Sequence, residues 1–241
     1  MTEGKIKTAA VVLAAGQGKR MHTAVAKQFL LLNEKPLLYY SLKAFEESPV
    51  EAVILVTGEG EISYCREKII NVYGFSKVAK IVPGGRERYH SVYGGLMALT
   101  EIMNRDGVVL IHDGARPLVT RDIIRRTLKE AREYGACVAA MPVKDTIKVD
   151  DGNGFADYTP DRSTLWHIQT PQAFHYGLVF DAYEKLLSDE SSQKGITDDA
   201  MVVETLASKQ VKLTEGSYEN IKVTTPEDMK IAECFLRGRT M

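Results

Sequence analysis

The sequence predicts an α/β fold in which helices cover both faces of a mainly parallel β-sheet, and two observations carry this prediction. First, the short runs typical of strands are apolar throughout, as expected for strands that are buried on both faces. Second, segments with helical periodicity separate these runs along the chain. Such alternation is typical of a Rossmann-like three-layer sandwich, whose ligands bind beyond the carboxyl ends of the strands.

Five apolar runs predict strands of the central sheet, and two apolar stripes predict helices between them. The strand runs are residues 9–13, 52–57, 78–82, 108–112 and 137–141. The helical stripes are Val92, Leu96, Leu99 and Met103, and then Ile123, Ile124, Leu128 and Ala131. Because apolar residues three and four positions apart share one face of a helix, each stripe predicts a helix that packs on the sheet.

One stretch departs from the alternation and predicts a β-hairpin. Residues 146–149 and 155–159 are strand-like, and they flank the glycine-rich turn at 150–154. An isolated hairpin is only marginally stable in water. We therefore expect residues 143–163 to form an arm that projects from a single domain, residues 1–241, and packs on a second copy of the chain.

Composition excludes several classes of protein. The 241 residues include 31 basic and 32 acidic side chains, which gives a net charge of -1. General nucleic-acid binding needs an excess of Lys and Arg, so any anion site must be a local cluster. Cys65, Cys137 and Cys234 match neither zinc-ligand spacing nor a disulfide framework. No apolar run approaches the roughly 20 residues of a membrane span, and we expect a cytoplasmic protein without nucleic-acid or membrane partners.

The loop after the first predicted strand has features of a phosphate-binding site. Residues 13–21 are Leu-Ala-Ala-Gly-Gln-Gly-Lys-Arg-Met. Their small side chains let backbone N–H groups approach phosphate oxygens, while Arg20 and Lys27 supply fixed cations. The dinucleotide pattern G-x-G-x-x-G fails because Met21 stands at its third glycine, and the P-loop pattern is absent. On these residues alone, a glycine turn followed by solvated charges explains the loop equally well.

An ordered set of motifs, from residue 9 to residue 232, resembles one family of nucleotidyltransferases. The motifs are Leu13-Ala14-Ala15-Gly16-Gln17-Gly18-Lys19-Arg20-Met21, Lys27-Gln28-Phe29, Gly84-Gly85-Arg86-Glu87-Arg88 with Ser91, His112-Asp113-Gly114-Ala115-Arg116-Pro117, Asp145-Thr146, Arg162 with Leu165-Trp166, Gln169-Thr170-Pro171-Gln172, Thr197-Asp198-Asp199-Ala200 and Asn220-Ile221-Lys222-Val223-Thr224. Together they are similar to the 2-C-methyl-D-erythritol 4-phosphate cytidylyltransferases of the non-mevalonate isoprenoid pathway. Two positions depart from the usual pattern of this family: Ala26 replaces a proline, and Gly114 replaces an alanine.

The resemblance implies that a phosphate oxygen of a polyol phosphate attacks the α-phosphorus of CTP and releases pyrophosphate, with Mg²⁺ as the expected cofactor. Because the attacking oxygen is already anionic, catalysis would depend on positioning and electrostatic stabilisation. The implied catalytic residues are Arg20, Lys27, Arg162 and Lys222. The implied nucleotide contacts are Ala14, Ala15, Gly16, Gly18, Gly85, Arg88 and Ser91. The implied substrate contacts are Asp113, Gly114, Arg116, Thr146, Arg162, Thr170, Thr197 and Thr224, with Asp113 also a candidate for Mg²⁺.

The resemblance also implies a homodimer. The arm would cross to the partner subunit, where Thr146 and Arg162, at the two ends of the hairpin, would bind the methylerythritol phosphate group. Activity would then depend on dimerisation, because each site would contain residues of both chains.

Several of these residues have a structural explanation as well. Lys222 is the centre of a three-residue strand-like pattern, where a solvated edge lysine is the alternative to a phosphate contact. Arg88 could hold its own loop instead of meeting phosphate, and Arg116 could form a loop-stabilising ion pair. We expect His112 to be structural and the acidic pair at 198–199 to favour a helix N-terminus through the helix dipole.

Three other functions stay open at this point. Ribitol-5-phosphate cytidylyltransferases share the fold and the chemistry, although Leu13-Ala14-Ala15-Gly16 and Leu165-Trp166 fit the methylerythritol family better. Uridylyl transfer to a hexose 1-phosphate is a more distant alternative. A nucleotide sensor without catalysis belongs to a different class, and the joint presence of Arg20, Lys27 and Lys222 argues against it.

Overall fold

The computed structural model describes residues 5–16, 21 and 26–239, and a seven-stranded sheet forms its centre. The strands among these residues are, in chain order, β1 (Ile6–Ala14), β2 (Leu31–Leu32), β3 (Lys35–Pro36), β4 (Ala52–Thr57), β5 (Val78–Pro83), β6 (Met103–Asp113), β7 (Ala136–Pro142), β8 (Val149–Asp150), β9 (Ala156–Tyr158), β10 (Trp166–His175) and β11 (Lys212–Glu215). The five predicted strand runs lie in β1, β4, β5, β6 and β7, which confirms them.

Helices connect the strands of the central sheet. The α-helices are α1 (Leu37–Glu46), α2 (Ile62–Tyr64), α3 (Asn71–Tyr73), α4 (Arg88–Met97), α5 (Arg121–Tyr134), α6 (Tyr176–Ser188), α7 (Asp199–Ala207) and α8 (Pro226–Arg239). A π-helical stretch, Cys65–Ile70, joins α2 to α3. Among the described residues, no helix has both the length and the apolar character that crossing a membrane requires.

The two predicted helical stripes correspond to α4 and α5, with one difference. The stripe Ile123 to Ala131 lies within α5 and is buried. The other stripe continues past the end of α4, because Leu99 lies in the turn that follows the helix and Met103 begins β6. Both residues are buried, so their apolar character records burial rather than membership of the helix.

The strand order of the central sheet is β11-β7-β10-β6-β1-β4-β5. Within this sheet β10 runs antiparallel to its neighbours β6 and β7, and the other adjacent pairs are parallel. This arrangement confirms the mainly parallel α/β sheet. The antiparallel strand β10 lies beside β6 and brings its polar residues to the edge of the sheet where β6 ends.

Helices cover both faces because successive residues of a buried strand point to opposite sides. Ala10 and Val12 of β1 pack in one apolar core with α1, α5 and the segment from α2 to α3. Ala9 and Val11 point the other way and pack in a second core with α4, α6 and α7. A smaller third cluster holds α8 against Leu32, Leu37 and the segment after β6. The strands β1, β4, β6 and β7 are therefore largely buried on both sides, as their uniform apolarity predicts. For β5 the prediction of burial on both faces is wrong, because this strand lies at the edge of the sheet and is only partly buried.

A hairpin is present as the short antiparallel pair β8–β9. It is shorter than predicted, because residues 146–148 form no strand and Asp150, predicted in the turn, lies in β8. Two carboxylates at its turn, Asp150 and Asp151, accept hydrogen bonds from the backbone N–H groups of the loop. Phe155 is 74% exposed and Tyr158 56% exposed in the single chain. In contrast, the strand-like pattern at 221–223 forms no strand, and that prediction is wrong. These residues have no regular secondary structure, although Lys222 is exposed between the more buried Ile221 and Val223, as in a strand.

Candidate functional site

The carboxyl ends of four neighbouring parallel strands meet at one edge of the sheet. β1 ends at Ala14, β4 at Thr57, β5 at Pro83 and β6 at Asp113. The register pairs Ala14 with Thr57, Thr57 with Pro83 and Leu13 with Asp113, so the ends are level. The loops that follow these strands therefore leave the sheet side by side, where ligands of such folds bind.

A cavity of about 540 Å³ opens at this edge, a size typical of small-molecule sites. We call it the larger cavity. Its lining residues are Leu13, Ala14, Ala15, Gly16, Lys27, Gln28, Gly85, Arg86, Glu87, Arg88, Ser91, Asp113, Ala115 and Lys222. The glycine loop thus contributes Ala14, Ala15 and Gly16, whereas Gly18 and Arg20 lie outside the described residues.

The wall formed by the loop after β5 depends on close packing at Gly84. A Cβ atom on Gly84 would overlap the Cβ of Ala15, so a larger residue would push the two loops apart. The backbone N–H of Gly85 donates a hydrogen bond of 3.0 Å to the hydroxyl of Ser91. That hydroxyl in turn lies 3.4 Å from the backbone oxygen of Glu87. The loop is therefore fixed by its own contacts at the start of α4.

A second cavity of about 280 Å³, the smaller cavity, adjoins the first. Its lining residues are Arg88, Asp113, Arg116, Ile168, Gln169, Thr170, Gln172, Thr197, Asp198 and Lys222. Arg88, Asp113 and Lys222 line both cavities. Two molecules bound in the two cavities would therefore face each other across these three charged side chains.

Asp113 is the centre of this shared charged cluster. The Nζ of Lys222 lies 2.7 Å from its Oδ2, and the Nε of Arg88 lies 3.4 Å from its Oδ1. Burial by itself would raise the pKa of the Asp113 carboxyl, but Arg88 and Lys222 outweigh that effect and hold the pKa below its usual range. The junction of the two cavities therefore contains a stably ionised carboxylate between two cations.

A second carboxylate fixes Arg88. Asp199, the first residue of α7, is fully buried and accepts hydrogen bonds from both terminal nitrogens of Arg88, each at 2.8 Å. The hydroxyl of Tyr183 also donates to Asp199. Burial would lower the pKa of Arg88, but Asp199 and Asp113 raise it well above its ordinary value. A bidentate pair of this kind fixes the plane of the guanidinium and joins the start of α4 to α7, and Arg88 still lines both cavities.

The two predicted acidic residues at the start of α7 have different roles. Asp198 is the N-cap, and its carboxylate accepts a hydrogen bond of 2.9 Å from the backbone N–H of Met201. This confirms the helix N-terminus predicted there. Asp199 instead forms the buried pair with Arg88, a role that the sequence did not indicate because 111 positions separate the two residues.

Two lysines reach the larger cavity from segments far apart in the chain. Lys27 lies on a short 3₁₀ turn, Lys27–Phe29, and its Nζ donates a hydrogen bond of 3.3 Å to the backbone oxygen of Val223. Val223 is fully buried and directly follows Lys222. Lys27 and Lys222 are therefore held near each other at the wall of the larger cavity.

His112 has the structural role that the sequence predicts. Its Nε2 lies 3.3 Å from the backbone oxygen of Arg116, which can only accept, so this nitrogen carries the proton. Its Nδ1 accepts from the hydroxyl of Thr170 at 3.0 Å, and that hydroxyl accepts from the backbone N–H of Asp113 at 3.1 Å. Burial lowers the pKa of His112 to about 3, so the ring is neutral. It positions the end of β6 beside β10.

The structure brings most of the predicted site residues to the two cavities. The residues at the larger cavity are Ala14, Ala15, Gly16, Lys27, Gly85, Arg88, Ser91, Asp113 and Lys222, and the smaller cavity adds Arg116, Thr170 and Thr197. Their roles toward a ligand stay predictions. Arg116 also donates a hydrogen bond of 2.7 Å to the backbone oxygen of Asn220, which holds the segment before Lys222.

Four predicted residues line neither cavity. Gly114 is packed, since a Cβ there would lie 3.0 Å from the backbone oxygen of Leu13. Thr224 hydrogen-bonds to Asp228 in the first turn of α8 through both its backbone N–H and its hydroxyl. Thr146 and Arg162 lie on the exposed arm, where the guanidinium of Arg162 donates to the backbone oxygen of Lys144 at 2.9 Å.

Sequence reasoning assigned no role to several residues that line the cavities. Gln28, Arg86 and Glu87 belong to motifs that were recognised, yet only their positions in the structure reveal that they form the wall of the larger cavity. Gln172 is similar in the smaller cavity. Its amide bridges β10 to α7 by donating to Asp198 and accepting from the backbone N–H of Ala200, both at 2.9 Å. Membership of a recognised motif was the signal available for all four.

Comparison with known proteins identifies similar sequences along almost the whole chain. Residues 8–238 match the family model described as 2-C-methyl-D-erythritol 4-phosphate cytidylyltransferase. A protein of that name from Lachnoclostridium phytofermentans is 51% identical over 231 residues, which cover 96% of this chain and 97% of that protein. Another from Lachnospira eligens is 50% identical over 230 residues, which cover 95% and 99%.

Solved structures of similar proteins have the same architecture. The crystal structure of a 4-diphosphocytidyl-2C-methyl-D-erythritol synthase from Anaerococcus prevotii matches with a TM-score of 0.81 and 31% identity, covering 95% of each chain. The crystal structure of a 2-C-methyl-D-erythritol 4-phosphate cytidylyltransferase from Thermus thermophilus matches with a TM-score of 0.75 and 28% identity. That match covers 96% of this chain and 100% of the other.

The buried neutral His112 predicts a specific dependence of stability on pH. The native pKa lies far below the ordinary value of about 6.5, so the unfolded chain binds the extra proton first as the pH falls. Stability is therefore complete above about pH 6.5 and falls on acidification, with a slope approaching about 1.4 kcal/mol per pH unit. Urea unfolding of metal-free protein in steps from pH 7 to pH 5 measures this slope above the range in which carboxylates titrate.

The variant His112→Gln should flatten that slope, because its amide does not titrate. His167→Gln is the matched control, since His167 is exposed, and it should keep the slope of the wild type. If His112→Gln and the wild type show the same slope, the neutral buried imidazole is not the cause of the pH dependence.

Proposed function

Because the chain belongs to the family of 2-C-methyl-D-erythritol 4-phosphate cytidylyltransferases, we propose that its larger cavity binds CTP and its smaller cavity binds the polyol phosphate. The chain is a cytidylyltransferase of isoprenoid precursor biosynthesis that joins CTP to 2-C-methyl-D-erythritol 4-phosphate. The observation that supports the placement of the substrates is that both cavities share Arg88, Asp113 and Lys222.

The reaction exchanges one phosphorus–oxygen bond for another. A phosphate oxygen of the methylerythritol phosphate forms a bond to the α-phosphorus of CTP, and the bond from that phosphorus to the β-phosphate oxygen breaks. The products are 4-diphosphocytidyl-2-C-methyl-D-erythritol and pyrophosphate. No proton has to be removed from the attacking oxygen, because a phosphate monoester is anionic near neutral pH. The barrier comes from repulsion between two anions and from charge that develops around the α-phosphorus.

Fixed cations at the junction lower this barrier. We assign transition-state stabilisation to Lys27 and Lys222, which line the larger cavity and are held near each other by their contacts with Val223 and Asp113. Arg20 has the same proposed role, and it lies outside the described residues. Preorganised charges stabilise a transition state more than mobile ones, because their geometry needs no change during the reaction. Asp113 supplies this preorganisation for Lys222, and the backbone oxygen of Val223 supplies it for Lys27.

The nucleotide contacts follow from the wall of the larger cavity. Ala14, Ala15 and Gly16 of the glycine loop line this cavity, and so do Gly85 and Ser91. We propose that the cytosine lies between them, where fixed donors and acceptors exclude a purine by size and uracil by its reversed hydrogen-bonding pattern. Gly18, outside the described residues, completes the proposed glycine loop.

The acceptor contacts follow from the smaller cavity. Arg116, Thr170 and Thr197 line it, and we propose that they bind the hydroxyl and phosphate groups of the acceptor. Gly114 and Thr224 line neither cavity, because Gly114 packs on the backbone of Leu13 and Thr224 hydrogen-bonds to Asp228 at the start of α8. The names of the similar proteins specify methylerythritol rather than ribitol, hexose or a binding role without catalysis.

Mg²⁺ is the expected cofactor of the proposed reaction. It is bound by phosphate oxygens together with only one or two protein carboxylates. Asp113 fits that requirement, because it is ionised and lines both cavities. Together with the triphosphate, the ion would withdraw charge from the oxygens around the reacting phosphorus.

We further propose that the chain works as one domain in a homodimer, with the arm (residues 143–163) reaching the acceptor cavity of the partner. Thr146 and Arg162 line neither cavity of their own chain, which is what a contribution to the partner would require. Exposed aromatic side chains at Phe155 and Tyr158 support an interface on this arm. A cytoplasmic location is part of this proposal.

A substrate panel tests the assignment of the reaction. Pyrophosphate release should be measured with CTP, UTP and ATP, each crossed with methylerythritol, ribitol and hexose phosphates. We expect the pair of CTP and methylerythritol phosphate to have a kcat/KM at least about 100-fold above every other pair, since recognition through hydrogen bonds discriminates strongly. A higher kcat/KM with ribitol phosphate would transfer the assignment to that acceptor, and CTP binding without turnover of any acceptor would indicate a sensor.

Loss of Lys27 tests the catalytic role of the cations. Lys27→Ala should lower kcat by about 100-fold or more, as expected for the removal of a preorganised charge from the transition state. Lys43→Ala is the control, because Lys43 of α1 forms an exposed pair with Glu47, the residue after the helix, and it should keep the kcat of the wild type. If Lys27→Ala has the kcat of the wild type, Lys27 has no part in the mechanism.

Mixing two inactive variants tests the shared site. Lys27→Ala carries an intact arm, and Arg162→Ala carries an intact cavity, so a hybrid dimer contains one complete site. Random exchange should restore about a quarter of the wild-type activity, because half the dimers are hybrids and each has one working site. Two different affinity tags would establish that exchange has occurred. If hybrid dimers form and stay inactive, the arm does not complete the partner's site.

A further inference from the structure

We propose that Glu61 is a positioning residue for Lys27, and that its carboxylate holds the turn Lys27–Phe29 at the wall of the larger cavity. Glu61 itself lines neither cavity. The inference rests on the proposed catalytic role of Lys27 and adds the element that places this lysine.

One oxygen of Glu61 receives three hydrogen bonds. Its Oε2 accepts from the backbone N–H of Gly58 at 3.1 Å, the hydroxyl of Thr57 at 2.9 Å and the side-chain amide of Gln28 at 3.1 Å. Thr57 is the last residue of β4 and is fully buried. The first two bonds therefore fix the carboxylate to the central sheet, and the third fixes Gln28 to the carboxylate.

Glu61 determines the orientation of the side-chain amide of Gln28. A carboxylate only accepts hydrogen bonds, so the Nε2 atom of the Gln28 amide must face Glu61. Its Oε1 atom is consequently buried, and it has no hydrogen-bond partner within residues 5–16, 21 and 26–239. An unpaired buried acceptor is unfavourable. The hydrogen bond from Nε2 to the Glu61 carboxylate therefore outweighs the free-energy cost of the unpaired Oε1.

The turn that carries Lys27 is too short to hold its own position. It comprises three residues, has no side-chain cap, and is closed by the backbone bonds from Phe29 to Ala26 and from Leu30 to Lys27. Gln28 is 2% exposed and forms its inner face. The ring of Phe29 packs at 4.8 Å, edge to face, on Tyr64 of α2. The segment that begins at Gly58 thus holds the turn by one polar and one aromatic contact.

The position of this turn matters because Lys27 precedes Gln28 directly. A small displacement of a catalytic group, on the order of 1 Å, can reduce a rate by roughly 100-fold. If Lys27 acts mainly in the transition state, a displaced turn lowers kcat more than it raises the KM for CTP. Substitution of a residue that only contributes to folding would instead lower the amount of active enzyme and its thermal stability. It would not lower the kcat of the folded enzyme more than it raises the KM.

The first experiment compares two glutamates of the same 3₁₀ turn. Glu61→Ala should lower kcat by about 10-fold with little change in the KM for CTP, measured by pyrophosphate release and corrected for active-site concentration. Glu59→Ala, the exposed neighbour in the turn Glu59–Glu61, is the matched control and should behave as the wild type. Glu61→Gln keeps an acceptor for Thr57 and Gly58 and should restore most of kcat. Equal kcat for Glu61→Ala and the wild type would overturn the inference.

The second experiment is a double-mutant cycle with Lys27→Ala. If Glu61 acts through Lys27, then Glu61→Ala has no further effect on kcat once Lys27 is absent. If the two losses multiply, Glu61 acts independently of Lys27 and the inference is wrong. Should Glu61→Ala fail to fold, Gln28→Met breaks the same connection while Glu61 keeps Thr57 and Gly58, and it should show the same loss of kcat and the same cycle.

The results separate this inference from the proposed function. If Lys27→Ala has a lowered kcat and Glu61→Ala has the kcat of the wild type, the positioning role of Glu61 is wrong. The catalytic role of Lys27 is then unaffected. Normal kcat in both single variants removes Lys27 from the mechanism, and the positioning role with it.

Discussion

Three ion pairs around the end of β6 determine the shape of the site, because they fix cations where two cavities meet. Asp113 contacts Lys222 and Arg88, and Asp199 binds Arg88 through both of its terminal nitrogens. Breaking one partner out of a buried pair leaves an uncompensated charge and costs about 3–5 kcal/mol. The pairs therefore join four remote parts of the chain, namely α4, β6, α7 and the segment before α8, into one arrangement that none of them would keep alone.

The segment that contains Lys222 shows how far this constraint reaches. It has no regular secondary structure, yet its backbone is fixed on both sides of the lysine. The guanidinium of Arg116 donates a hydrogen bond of 2.7 Å to the backbone oxygen of Asn220. The backbone N–H of Val223 donates one of 2.8 Å to the backbone oxygen of Ala115. Both partners belong to the loop that follows β6. The end of one strand therefore places Lys222 through its backbone and through its ion pair, and Val223 in turn accepts from Lys27.

The sequence predicted the strands and the glycine loop, which depend on local patterns of residue type. It did not predict the contacts between residues that are far apart in the chain. The run at 52–57 coincides with β4, because a strand buried on both faces is apolar throughout. β10 was not predicted, because Gln169, Thr170 and Gln172 interrupt its apolar character. These three residues line the smaller cavity. The glycine loop and the two lysines could be singled out from residue type, whereas the pairing of Arg88 with Asp199 depends on the finished fold.

The charges around the cavities explain why a nearly neutral chain can bind two anions. Among the described residues that line them, Lys27, Arg86, Arg88, Arg116 and Lys222 are basic, and Glu87, Asp113 and Asp198 are acidic. The excess of two positive charges is local, since the whole chain has a net charge of -1. The acidic residues do not cancel the site's function, because each forms a defined contact or N-cap that keeps its neighbourhood rigid. Fixed cations attract phosphates without having to be reorganised by them, so the cost of assembling like charges is met during folding rather than during catalysis.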